Sequence, residues 1–135
     1  MKRDRIATAW VAALGVLLVG VTAPMFAHHS MSMFNLEKTI TLQGTVTEAV
    51  WGNPHSLFSC DAKEVDADDA PVRNWSLEAP SPIVMMSKGL KKDTIKVGDK
   101  ITVTGNPRKD GKPSLLLLTL TDANGNRYIV KEPVQ

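Results

Sequence analysis

The chain has 135 residues, 43% of them hydrophobic, and a formal net charge of +2 from 16 Lys and Arg against 14 Asp and Glu. This length accommodates one small domain. Three basic residues and one acidic residue fall within the first five positions, so the rest of the chain has no net charge. Binding of nucleic acid without sequence preference requires excess Lys and Arg to displace phosphate counterions. The composition therefore argues against a nucleic-acid partner.

The first 27 residues have the pattern of a secretory signal peptide. Basic side chains at positions 2, 3 and 5 precede an apolar run over residues 6–21, and Ala27 is a small residue suited to cleavage. The run approaches the length of a membrane-spanning helix, so an uncleaved anchor is the alternative. We expect a bacterial protein exported to the periplasm or beyond, beginning at His28 and touching the membrane only if the leader is retained.

The chain has a single cysteine, Cys60, which cannot form an intramolecular disulfide in an oxidising compartment. It lies between Phe58 and Ala62 on a segment predicted to be extended. We expect Cys60 to be a small buried apolar residue. An intermolecular disulfide and metal ligation are the alternatives.

An N-terminal arm, residues 28–38, precedes a predicted β domain, residues 39–135. The first strand alternates apolar and polar residues from Thr39 onward, which is typical of a half-buried strand. Its apolar positions are Ile40, Leu42, Val46 and Val50. Gly44 in mid-strand predicts a bulge or a sharp bend, by which small barrels curl their first strand.

Further strands are predicted at residues 56–62, 72–79, 100–105 and 115–120, with a short one at 128–130. Between the third and fourth, Ser81 and Pro82 suit the start of a helix. Ile83, Met86 and Leu90 then repeat at helical spacing. Asn106-Pro107 is expected to end the fourth strand, and Asp110-Gly111 to form a hairpin tip.

The predicted order is strand, strand, strand, helix, strand, strand, followed by a short strand. With a bent first strand and about 100 residues, this order is typical of the five-stranded OB barrel. The expected fold is therefore all-β with one short helix, an OB-like barrel preceded by a signal-peptide helix. A small open sandwich with a similar meander is the alternative.

The three histidines, His28, His29 and His55, lie within 28 positions of one another. After cleavage, the α-amine and the imidazoles of His28 and His29 would form a nitrogen-rich chelate. Such ligands suit copper(II), zinc and nickel(II), and copper(II) binds most tightly. His55 follows Asn53-Pro54 at a predicted turn, and the flexible arm is long enough to fold back to it. The sequence therefore predicts a metal site, with copper as its ion, at His28, His29 and His55.

Other residues are weaker candidates for this site. Met31 and Met33 could add thioether ligands that favour copper(I), although methionines in such an arm often cover the open end of a barrel. Glu78 could complete the site or hold a ligand histidine. Trp51 and Trp75 are expected in the core or at its rim, and the lysines of residues 88–100 on a solvated face.

These motifs resemble an uncharacterised family of short secreted bacterial proteins. Its pattern has His-His-Ser after the leader, a Gly-Thr-Val strand, Trp-x-Asn-Pro-His and Trp-x-x-Glu. Here the pattern corresponds to His28–Ser30, Gly44–Val46, Trp51–His55 and Trp75–Glu78. The resemblance implies export and one compact β-rich domain, without a known activity. The Met-Ser-Met sequence at residues 31–33 departs from the stretch expected there.

Several catalytic signatures are absent from the sequence, among them a phosphate-binding glycine loop, Gly-x-Ser-x-Gly, Cys-x-x-Cys and His-Glu-x-x-His. We therefore expect a small exported protein that binds a transition metal without catalytic turnover. The alternative is a non-metal OB-like module that recognises a periplasmic protein, a peptide or a glycan. A redox enzyme with a histidine-amine copper site is a third possibility, and it would need an open coordination position.

Overall fold

The computed structural model describes residues 31–132, which contain six strands and one short helix. The strands are β1 (Ile40–Val50), β2 (Ser56–Glu64), β3 (Arg73–Ala79), β4 (Lys100–Pro107), β5 (Ser114–Thr121) and β6 (Arg127–Ile129), and the helix is α1 (Pro82–Ser87). The predicted signal peptide, His28 and His29 lie outside the described residues. Within residues 31–132, no helix is both long and apolar enough to cross a membrane.

The strands form a closed five-stranded barrel with OB topology, as the element order predicted. Their order is β3, β2, β1, β4, β5, and β6 is added beside β5. All neighbouring pairs are antiparallel except β3 and β5, which close the barrel as a parallel pair through Ser76–Glu78 and Ser114–Leu116. α1 lies between β3 and β4 in the chain, where the OB fold has its helix.

The first strand curls because two local features interrupt its regular pleat. Gly44 lies so close to β2 that a Cβ atom there would be 2.2 Å from the carbonyl oxygen of Asp61. The predicted bulge lies further along the strand, where the register shifts between Val46 and Glu48. The bulge reverses the alternation beyond it, so Val50 is 47% exposed although it continues the apolar pattern.

The barrel interior is filled by the inward-facing apolar residues of all five barrel strands. Representative members, one from each strand, are Leu42, Phe58, Leu77, Val103 and Leu117. Cys60 belongs to this core, as its neighbours predicted. Burial, reinforced by the adjacent carboxylate of Asp61, raises the pKa of its thiol to about 11.

The segment from α1 to β4 covers the barrel through three buried residues, Met85, Leu90 and Ile95. The helix begins at Pro82 as predicted, although the Ser81 side chain makes no capping hydrogen bond. Of the three apolar residues at helical spacing, only Leu90 is buried, and it follows the end of the helix. Ile83 and Met86 face solvent.

The described part of the arm packs against the outside of the barrel. Phe34 forms a β-bridge with Arg108, and the Asn35 amide donates to the Pro107 carbonyl at 2.8 Å. The Asn106 side chain donates to the Lys38 carbonyl at 2.8 Å. β4 therefore continues through Asn106 and Pro107, two residues beyond its predicted end. Pro107 is compatible with this position because it supplies only its carbonyl.

Candidate functional site

The corner between β1 and β2 presents His55 on the barrel surface. The Trp51 ring packs edge-on against Phe58, with ring centroids 5.3 Å apart, which ties the start of the corner to the core. The Asn53-Pro54 peptide is cis. On the far side of the corner, the Ser56 amide donates to the Pro80 carbonyl at 3.2 Å. His55 is thus held between two anchored residues, with its side chain 47% exposed.

Glu78 on β3 lies beside the His55 imidazole. Its Oε1 atom is 3.7 Å from Nδ1 of His55, which places the two groups in electrostatic contact. The contact follows from strand register, because Ser56 pairs with Ala79 and Leu57 pairs with Glu78. Since Nδ1 faces the carboxylate, Nε2 on the opposite side of the ring is the nitrogen available to a ligand.

Arg108 and Asp110 extend this polar surface. The Arg108 guanidinium donates two hydrogen bonds to the Asp110 carboxylate, at 2.9 Å from Nε and 2.7 Å from Nη2. These bonds raise the pKa of Arg108, and the nearby Glu78 carboxylate contributes in the same direction. They also hold the pKa of Asp110 well below its usual range. The Glu78 carboxylate beside the imidazole is therefore itself close to the ion pair of Arg108 and Asp110.

The arm approaches the same surface along Arg108. Besides the bridge between Phe34 and Arg108, the Lys109 amide donates to the Met33 carbonyl at 3.0 Å. Arg108 thus pairs with the arm through its backbone, and its guanidinium interacts electrostatically with Glu78, the neighbour of His55.

Two exposed apolar residues flank the histidine. Val50 on β1 and Leu57 on β2 are directly paired across the strands, and each is 47% exposed. Leu57 is also the register partner of Glu78. An aliphatic pair of this kind beside charged groups can contact an apolar part of a partner.

Among the predicted site residues, the structure brings together His55 and Glu78. Residues 31–132 contain no group of three or more His, Cys, Asp or Glu side chains arranged to hold a metal ion. Cys60 is buried in the barrel, so its thiol is not part of this surface. A metal site of the predicted composition therefore depends on ligands from His28 and His29.

Arg108 and Asp110 were not identified from the sequence. Asp110-Gly111 was predicted as a hairpin tip, and that turn forms: the Gly111 amide donates to the Arg108 carbonyl at 3.3 Å. The spacing of Arg108 and Asp110 across the turn was the available signal for their ion pair. The proximity of Arg108 to Glu78 arises only when β3 and β5 close the barrel.

Comparison with known proteins gives one match. No curated protein and no solved structure matches the chain significantly. The model of a family of unknown function, DUF6152, matches residues 14–116, a span that includes β1 to β4 and the first residues of β5. The match covers most of the chain and agrees with the resemblance found in its motifs. The chain belongs to the DUF6152 family.

Proposed function

We propose that this protein is an exported, OB-like binding protein that captures a transition metal ion, with copper as the preferred ion, through His28, His29 and His55 and without catalytic turnover. The observation that carries the proposal is the pairing of the exposed His55 imidazole with the Glu78 carboxylate. Metal-binding histidines usually have their second ring nitrogen beside a carboxylate or carbonyl, which orients the ring and increases its basicity.

The length of the arm supports a shared site. Met33 is five residues after His28, and five extended residues span about 17 Å. Met33 is hydrogen-bonded to Lys109, and the adjacent Arg108 interacts electrostatically with Glu78. We propose that the five residues before Met33 allow the terminal amine and imidazoles to reach His55. Amine and imidazole nitrogens together favour copper(II) among the divalent first-row ions.

The test begins with an intact mass of the exported protein, which shows whether His28 is its first residue. Copper(II) is then titrated against a competing chelator into the wild type and into a His28→Ala, His55→Ala double variant. Loss of two of the proposed ligands should weaken binding by at least about a hundredfold, since even a residue that only orients a ligand contributes about ten- to a hundredfold.

Glu78→Gln and Asp66→Asn each remove one negative charge, one beside His55 and one in the exposed loop between β2 and β3. Glu78→Gln should weaken copper binding by about tenfold, and Asp66→Asn should leave it unchanged. Unchanged affinity in the double histidine variant would rule out the proposed ligand set. Metal binding accompanied by reductant-dependent turnover would instead favour an enzyme.

A second candidate is a module that recognises an apolar peptide or protein segment at the same surface. It is favoured by the exposed pair of Val50 and Leu57 next to His55. This function would require no metal. A Val50→Ser, Leu57→Ser variant separates the two candidates. If the surface recognises an apolar segment, the variant should no longer crosslink to the partner that the wild type crosslinks to. Its copper affinity should be unchanged, because neither residue is a proposed metal ligand.

A further inference from the structure

The segment that covers the barrel end exposes apolar and basic side chains together. Met85, Leu90 and Ile95 fix it to the core, and the residues between them project outward. Ile83 is 73% exposed and Met86 is 52% exposed. We define the α1 surface as Ile83, Met86, Lys88, Lys91, Lys92 and Lys96.

The four lysines of the α1 surface are available to an external partner. All are exposed, and none forms an ion pair with any of residues 31–132. Two acidic residues of the same segment, Asp93 and Asp99, line one cavity with Lys96 and Asp122. Asp99 also accepts a hydrogen bond from the Lys96 amide at 2.9 Å. The four lysines of the α1 surface still outnumber these two carboxylates. The segment therefore presents excess positive charge beside the exposed apolar side chains of Ile83, Val84, Met86 and Val97.

We propose that the α1 surface docks on a lipid bilayer that contains anionic lipids. Lysines at such a surface are attracted to the negative headgroups, and neighbouring apolar side chains enter the boundary of the acyl chains. The four exposed apolar side chains of the segment, Ile83, Val84, Met86 and Val97, are few for a stable protein interface, which involves about 20–30 residues on each partner. A fluid bilayer accepts them without a matching pocket.

A second copy of the chain is a poorer occupant of this surface. In a symmetric dimer the same patch of both copies meets, so the lysines of one copy would face those of the other. The basic character of the surface is instead complementary to a negative partner. The inference is independent of the metal proposal, because it uses no residue of the His55 site.

The experiment measures binding of the exported protein to vesicles. One set consists of phosphatidylcholine alone, and the other of equal parts of phosphatidylcholine and phosphatidylglycerol. All proteins compared share the N-terminus identified by intact mass, so any contribution of the leader is constant. We expect binding to the anionic vesicles, weakened by added salt, and little binding to the neutral ones.

Two variants test the lysines. Lys88→Gln, Lys91→Gln, Lys92→Gln removes three charges from the α1 surface, and Lys38→Gln, Lys63→Gln, Lys112→Gln removes three exposed charges elsewhere. At about fivefold for each lysine at the membrane, the first triple variant should bind roughly a hundredfold more weakly. The second should bind much like the wild type. Equal losses in both would show a general charge effect and overturn the proposal.

A second matched pair tests the apolar side chains. Ile83→Ser, Met86→Ser should weaken binding by about tenfold, whereas Val65→Ser, Val72→Ser, which changes two exposed residues of the loop between β2 and β3, should not. Circular dichroism checks that each variant is folded. Failure of the wild type to bind the anionic vesicles would overturn the proposal. The proposal would also be overturned if the α1 surface bound a soluble acidic protein but no vesicles.

Discussion

At the scale of single residues, Cys60 on β2 and His55 in the corner that precedes β2 show how burial separates two reactive side chains. The Cys60 thiol lies in the core and stays protonated well above neutral pH, because burial penalises the thiolate. The His55 imidazole, five residues earlier, is half-exposed beside a carboxylate. Of the two, only His55 is accessible to a metal ion or a partner.

The raised pKa of Cys60 predicts a loss of stability at alkaline pH. Because the thiol has its ordinary value of 9.0 when unfolded and about 11 when folded, its contribution is complete below pH 9 and declines as pH rises toward 11. Between these two pKa values, the free energy of unfolding falls by about 1.4 kcal/mol per pH unit. Between pH 8 and pH 10.5, the wild type should therefore lose ~2 kcal/mol more stability than Cys60→Ala.

Urea unfolding of both proteins at several pH values measures this difference. All other ionisable groups are common to both proteins, so their effects cancel in the comparison. Parallel stability profiles would show that the thiol is not protected by burial.

The sequence identified both partners of the His55 and Glu78 contact as candidates, but it could not predict their distance. That distance depends on the register of β2 with β3, in which Leu57 pairs with Glu78. Periodicity assigns each residue to a face of its strand, whereas register is set by the loop of residues 65–72 and by packing. The Arg108 side chain was missed for the same reason.

At the scale of elements, the arm is a packed part of the structure from Phe34 onward. Phe34 is 1% exposed, but it is outside the cluster of residues that fills the barrel. It is accompanied by hydrogen bonds from Asn35 and Asn106. These contacts predict that Phe34 is the main attachment of the arm to the outer surface of the barrel.

Phe34→Ala should therefore destabilise the protein by about 3 kcal/mol, as is typical when a buried aromatic ring is removed. It should also release the arm, which accelerates hydrogen exchange at the Asn35 and Lys109 amides. Met33→Ala is the matched control, because Met33 is 41% exposed and its loss should cost less than about 0.5 kcal/mol. Similar stability of the two variants would contradict the attachment.

The elements themselves were largely predictable, because alternation, turn residues and a proline at the helix start are local signals. The strands and α1 are found in the predicted order. The strand ends are shifted by at most two residues, whereas the helix ends at Ser87, three residues before Leu90, the last residue of its predicted apolar repeat. Two features depend on tertiary contacts and were not predicted. The bulge after Val46 exposes Val50, and the outward direction of Ile83 and Met86 reflects the burial of Met85 against the barrel.

At the scale of the whole molecule, one core connects every strand of the barrel. The parallel pairing of β3 with β5 closes the sheet, so no barrel strand can separate without exposing apolar residues of its neighbours. A small domain with a single continuous core is expected to unfold in one cooperative transition. Trp51 and Trp75 report on this transition from different places, the β1 and β2 corner and β3.

We predict that both tryptophans report the same unfolding midpoint. In a Trp10→Phe background, Trp51→Phe leaves Trp75 as the reporter, and Trp75→Phe leaves Trp51. For each variant, the denaturant midpoint from fluorescence should coincide with that from far-ultraviolet circular dichroism, because Trp51 contacts Phe58 of the core and Trp75 pairs with Cys60 in the same core. An earlier fluorescence transition in the Trp51 reporter alone would mean that the corner opens separately. His55 would then lie on a corner that opens before the barrel unfolds. Copper binding at the proposed site would have to order that corner. Copper should therefore raise the unfolding midpoint reported by Trp51 toward the midpoint of the barrel.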